Sequence, residues 1–101
     1  MKAEIRHMVV FKLLHEKGSA EEKKFLEDSA NILGSIPYAA KFMVCEEVSP
    51  KNGFDFGFSF DFMTKEDYEK YNNDQRHIDY VNERWLKEVA EFMEVDLKEV
   101  I

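Results

Sequence analysis

The side chains best suited to chemistry are His77 and Tyr71, six residues apart and separated by Asn72-Asn73-Asp74. A histidine titrates near neutral pH without heavy tuning, which suits a general acid/base. A tyrosine hydroxyl can steady a developing enolate or alkoxide. On an unbroken helix, side chains six apart point about 120° away from each other. Three poor helix formers in a row favour a break, and a break can bring both rings to one cavity. His77 then starts a new helical segment, where the positive dipole end disfavours imidazolium and leaves a neutral base.

His7 shares a strand face with Ile5, Val9 and Phe11. There it either finds a hydrogen-bond partner in the core or lines a cavity. His15 sits in a charged loop and reads as exposed. A metal site from His7, His77 and Asp74 is chemically conceivable, but no dense ligand spacing supports it, so neither metal nor cofactor is expected. Asp55 and Asp61 lie about 20 Å apart along a strand, too far to act as a carboxylate pair. Cys45 has no histidine beside it and reads as a half-buried thiol. The chain has no P-loop, GxGxxG, GxSxG or HExxH motif.

Those residues are carried by a regular alternation of elements. Ile5 to Leu13 alternates with a period of two, Ile5, His7, Val9, Phe11 and Leu13 on one face, as in a strand buried on one side. Ser19-Ala20-Glu21-Glu22 is a capping box. The helix after it carries Phe25, Leu26, Ser29, Ile32, Leu33 and Ile36 on one stripe and stops at Pro37. Tyr38 to Val48 reads as a second strand, with Ser49 to Gly53 as a turn. Phe54, Phe56, Phe58, Phe60 and Phe62 occupy alternate positions, so only a strand places all five rings on one side. Thr64-Lys65-Glu66-Asp67 caps the next helix. Past the break, Ile78, Val81, Trp85 and Val89 give a helical stripe. Glu91 to Leu97 reads as the last strand, with Met93, Val95 and Leu97 inward.

The order is β-α-β-β-α-β, a ferredoxin-like α+β fold with two helices on one face of a four-stranded antiparallel sheet. A length of 101 residues gives one domain, 1–101. On the uncovered face, Met8, Val10, Met43 and Cys45 cluster among charged ends, which suits an isologous homodimer. The net charge of −7 disfavours nucleic acid and anionic membranes. No run is long enough for a membrane span. The N-terminal run Met1 to Arg6 lacks a signal-peptide pattern, and one cysteine excludes an intrachain disulfide; a cytoplasmic protein is expected.

The run Ile5 to Lys12, the Gly53-Phe54 entry to the alternating strand, and Tyr71-xxxxx-His77 followed by Trp85 together resemble the stress-responsive dimeric α/β-barrel (Dabb) family over nearly the whole chain. The resemblance implies a ferredoxin-like protomer, a homodimer whose sheets face each other as a barrel, and a cavity between sheet and helices. Most of the family has no assigned activity. A plant member closes a linear polyketide by aldol condensation, using a His as acid/base and a Tyr at the same site. By position these are similar to His77 and Tyr71, and a pocket His on the first strand is similar to His7. A second pocket His of that relative stands as Phe56 here, and a pocket Tyr on its first helix stands as Ser29. The resemblance therefore implies His77 and Tyr71 as catalytic, with His7, Phe56 and Ser29 around the substrate. Two functions follow: a cofactor-free cyclase or proton-transfer catalyst on a small carbonyl compound, or a non-catalytic stress-related protein binding a small hydrophobic ligand. A relative of the dimeric-barrel monooxygenases would keep the fold, but the chain shows no clear haem-ligand pattern.

Overall fold

The computed structural model describes residues 2–101; Met1, the first residue of the N-terminal run read above, lies outside them. Strand β1 (Ile5–Leu13) is central because its alternation buries His7, Val9, Phe11 and Leu13 on one face. Strand β3 (Phe56–Phe62) runs antiparallel beside it, pairing His7 with Phe60, Val9 with Phe58 and Phe11 with Phe56. Antiparallel partners share a face, so four phenylalanines stack on the buried side of β1. Phe54 precedes the strand and is only half-buried. Strand β2 (Lys41–Glu46) pairs with β3, and β4 (Val89–Leu97) pairs with β1, giving the antiparallel order β2-β3-β1-β4.

Helix α1 (Ala20–Gly34) begins where the Ser19 hydroxyl accepts from the Glu22 amide at 3.2 Å. The Glu22 carboxylate reaches back to the Gly18 amide at 3.0 Å, with Gly18 at φ 82°, a left-handed turn suited to a residue without Cβ. The helix buries Phe25, Ser29 and Leu33 against the sheet. Helix α2 (Lys65–Asn73) is capped by the Thr64 hydroxyl and ends at Asp74. Asp74 is extended and its carboxylate accepts from the Arg76 amide, so one residue closes α2 and opens α3 (Gln75–Tyr80). A π turn, Val81–Trp85, and a last short turn, α4 (Leu86–Glu88), lead into β4.

Several expectations do not hold. Ile78 faces outward, and Tyr80 is the buried residue. The π turn adds a residue to the spiral, so Tyr80 and Trp85, five apart, both reach the core where a regular α-helix would separate them. Strand β4 starts at Val89, with a register shift opposite Lys12 and Leu13. Its Met93, Val95 and Leu97 face the uncovered side, opposite Val10, Met8 and Arg6, while Phe92 lies opposite Phe11 and Asp96 opposite His7. The apolar signal of Met93, Val95 and Leu97 therefore belongs to the second, uncovered face of the sheet. With Met8, Val10, Met43 and Cys45 they make one apolar surface there, crossed by the Arg6–Asp61 ion pair at 3.0 Å. Cys45 is exposed, not half-buried. His15 is not free either: its Nε2 meets the Glu88 carboxylate at 2.7 Å.

Candidate functional site

A cavity of about 270 Å³ opens between the sheet and the segment running from the end of α2 to α4. Val9, Leu33, Phe58, Phe60, Trp85 and Phe92 form most of its apolar wall. His7, Tyr71, Asn72, His77 and Glu94 supply the polar groups. Larger depressions of about 510 Å³ lie around Lys2 and Arg6 and between α1 and β2; the ion pairs of the first are already formed, and the second has no titratable lining.

Tyr71 is placed by the last turn of α2, its ring 5.2 Å from Phe60 and 5.3 Å from Phe62 between centroids. His77 comes from the first turn of α3. The extended Asp74 redirects the chain, and the Tyr71 and His77 rings meet at 4.6 Å. The ring of Tyr71 is buried, yet among the described residues nothing hydrogen-bonds its hydroxyl, and no buried side-chain polar atom lacks a partner. The hydroxyl is therefore open to the cavity. Burial pushes its pKa well up, so it stays a proton donor.

The His77 Nδ1–H donates to the Asn72 carbonyl at 3.3 Å, which leaves Nε2 as the basic nitrogen. Burial lowers the His77 pKa; the Asn72 carbonyl opposes this, and the neighbouring His7 adds to the lowering. Neutral imidazole is thus the favoured form. His7 is buried on β1, and its Nδ1 lies 2.5 Å from Asp96 Oδ1 and 2.9 Å from the Tyr68 hydroxyl. The Tyr68 hydroxyl also donates to Asp96, at 3.0 Å. With Nδ1–H held by the carboxylate, Nε2 is the atom His7 has left to offer. Asp96 was missed in the sequence because the expected orientation of β4 turned it outward, and Tyr68 on α2 went unassigned without that partner. The signal was present: an acidic residue alternating with Phe92 and Glu94 on the strand beside β1.

Phe56 and Ser29 are not in this group. Phe56 packs on Phe11 with centroids 5.9 Å apart, at the other end of β3, and does not line the cavity. Ser29 is fully buried; its hydroxyl donates to the Phe25 carbonyl at 2.6 Å and accepts from the Tyr80 hydroxyl at 2.7 Å. It acts one layer behind the wall, by fixing Tyr80. The π turn is held from outside as well: Arg84 donates to Asp28 at 2.7 Å and to Glu88 at 2.5 Å. Asp74 is likewise engaged, its carboxylate lowered to about 2 by Arg76. Among the described residues no three His, Cys, Asp or Glu side chains gather where a metal ion would sit, and no helix is long and apolar enough to cross a membrane.

Residues 5–99 match the family model of the Stress Responsive A/B Barrel Domain, Dabb. A Dabb protein with a ferredoxin-like fold from Mesorhizobium loti is 41% identical, with 95% of this chain and 96% of that one covered and a TM-score of 0.93. A dimeric ferredoxin-like protein of unknown function from Bacteroides fragilis is 18% identical over 94% and 95% of the two chains, with a TM-score of 0.71. A hydroxynitrile lyase from Passiflora edulis is 12% identical over 95% and 93%, with a TM-score of 0.79. No curated protein sequence matches the chain.

Proposed function

The chain belongs to the stress responsive A/B barrel (Dabb) family, and from its cavity we propose a cofactor-free acid/base catalyst that acts on a small carbonyl compound. One observation carries this: the free Tyr71 hydroxyl and the His77 imidazole open on the same cavity, ring to ring at 4.6 Å. His77 Nε2 removes a proton from the carbon beside a carbonyl. The Tyr71 O–H donates to that carbonyl oxygen as it becomes an enolate oxygen. In a substrate with a second carbonyl, the enolate carbon attacks it, closing a ring by aldol addition. The proton held on His77 then passes to the new alkoxide. His7, oriented by Asp96, offers Nε2 to a second polar atom of the ligand.

Likeness in fold to a protein named as a hydroxynitrile lyase supports a catalytic reading. The second reading is a binder of a small hydrophobic ligand, favoured by the aromatic wall of Phe58, Phe60, Trp85 and Phe92. Turnover of a linear poly-β-ketone, followed by chromatography, separates the two. Catalysis requires that His77→Ala and Tyr71→Phe abolish ring closure while the fold is kept. No turnover by the wild type would leave only the binder, and equal turnover by His77→Ala would remove His77 from the reaction.

The proposed assembly is a homodimer through the uncovered apolar face. The large exposures on that face of Met43 on β2 and of Met93 and Leu97 on β4, at 42%, 52% and 49%, support it. A single exposed free thiol, Cys45, supports the reducing cytoplasm as its compartment. The charge of −7 argues against a nucleic-acid partner.

A further inference from the structure

The ligand class can be narrowed by charge; this step rests on the cavity being a ligand site, as proposed above. Among the described residues, no lysine and no arginine lines the cavity. The nearby guanidinium groups are committed elsewhere, Arg84 to Asp28 and Glu88, Arg76 to Asp74. The lining does contain a carboxylate. Glu94 pairs with Val9 across the β1–β4 ladder and so stands on the cavity side of the sheet. A second carboxylate, Asp96, sits behind His7. The donors facing the ligand are neutral groups, the Tyr71 hydroxyl above all, which suit a carbonyl oxygen.

An anion entering here would meet only neutral donors and, at the solvent-exposed rim, the like charge of Glu94, which disfavours it. The volume sets the size. About 270 Å³ equals the liquid share of roughly nine waters, a ligand of about nine non-hydrogen atoms.

We infer that the cavity takes small uncharged carbonyl compounds and rejects the corresponding carboxylates, with Glu94 as the residue that sets this selectivity. Trp85, the only tryptophan in the chain, lines the cavity and reports on occupancy. The experiment titrates the full chain at neutral pH with cyclohexyl methyl ketone and with cyclohexanecarboxylate, which match in size and differ in charge. The Trp85 indole N–H peak is followed in a heteronuclear correlation spectrum. The ketone is expected to shift the peak saturably, with a Kd at least about tenfold below that of the acid. Glu94→Gln is expected to narrow that gap to about threefold or less by tightening the acid. Because Glu94 is exposed, the substitution leaves the fold in place. Equal or tighter binding of the carboxylate to the wild type overturns the inference while leaving the cavity a ligand site. A gap unchanged in Glu94→Gln overturns the assignment to Glu94. If neither compound moves the Trp85 peak, the ligand-site premise fails and the inference falls with it.

Discussion

Replacing Tyr71 by Phe separates catalysis from stability at one atom. The ring is buried against Phe60, Phe62 and His77, and Phe keeps every one of those contacts. Only the hydroxyl goes, and among the described residues it has no hydrogen-bond partner to strand. Removing a polar atom that holds nothing should leave the unfolding free energy within about 1 kcal/mol of wild type, and the direction can be upward. Ser29→Ala is the contrast. It leaves the buried Tyr80 hydroxyl without its partner at 2.7 Å and should cost about 1–3 kcal/mol. In catalysis the order reverses. Loss of one donor aimed at a developing oxyanion should lower turnover about a hundred- to a thousandfold in Tyr71→Phe. Urea denaturation and a turnover assay on both variants read the two axes. A destabilised Tyr71→Phe with full turnover would show that the hydroxyl serves the fold, and the proposed role would be refuted.

Further outcomes follow from the same structure. Phe58→Ala removes a ring packed on Phe11 at 4.8 Å and on Trp85 at 5.9 Å, and should cost about 3–5 kcal/mol in denaturant unfolding. His77 has its pKa lowered from 6.5 in the folded state, so the unfolded chain binds its proton first. Its contribution to stability is complete above pH 6.5 and declines as the pH falls from there through the lowered folded value; His77→Gln should flatten that part of a stability–pH curve. The acid limb of kcat/KM should for the same reason fall below pH 6.5. Val10→Asp puts a charge on the central strand of the uncovered face, and light scattering should show a shift from dimer toward monomer at micromolar concentration.

Much of this architecture is legible in the chain because each central strand buries one face. Phenylalanines at alternate positions point to a strand, which holds four of the five, Phe56 to Phe62, and the odd residues of β1 carry His7 to the helix side with Val9 and Phe11. The break between Tyr71 and His77 is readable too, in three residues of poor helix propensity; Asp74 turns out to be the pivot, capping the helix it starts. What escaped lies near β4. An edge strand with apolar residues on both faces has an ambiguous inward side, and the π turn before it moves the phase by a residue that no periodicity reveals. The hydrogen-bond partners of His7 were lost with that phase. Position-by-position likeness to a distant cyclase also overreached at Phe56 and Ser29, because a matching strand or helix position does not fix how far along the element the cavity extends.

The central claim is that His77 removes a proton from carbon beside a carbonyl held by Tyr71. Deuterium exchange tests it without knowledge of the natural substrate. Cyclohexyl methyl ketone in heavy water at neutral pH is followed by proton NMR, with and without the protein. Catalysis predicts loss of the methyl and ring α-proton signals well above the buffer rate, abolished in His77→Ala and sharply slowed in Tyr71→Phe. Exchange at the buffer rate with wild type, under conditions where the ketone shifts the Trp85 peak, would contradict it.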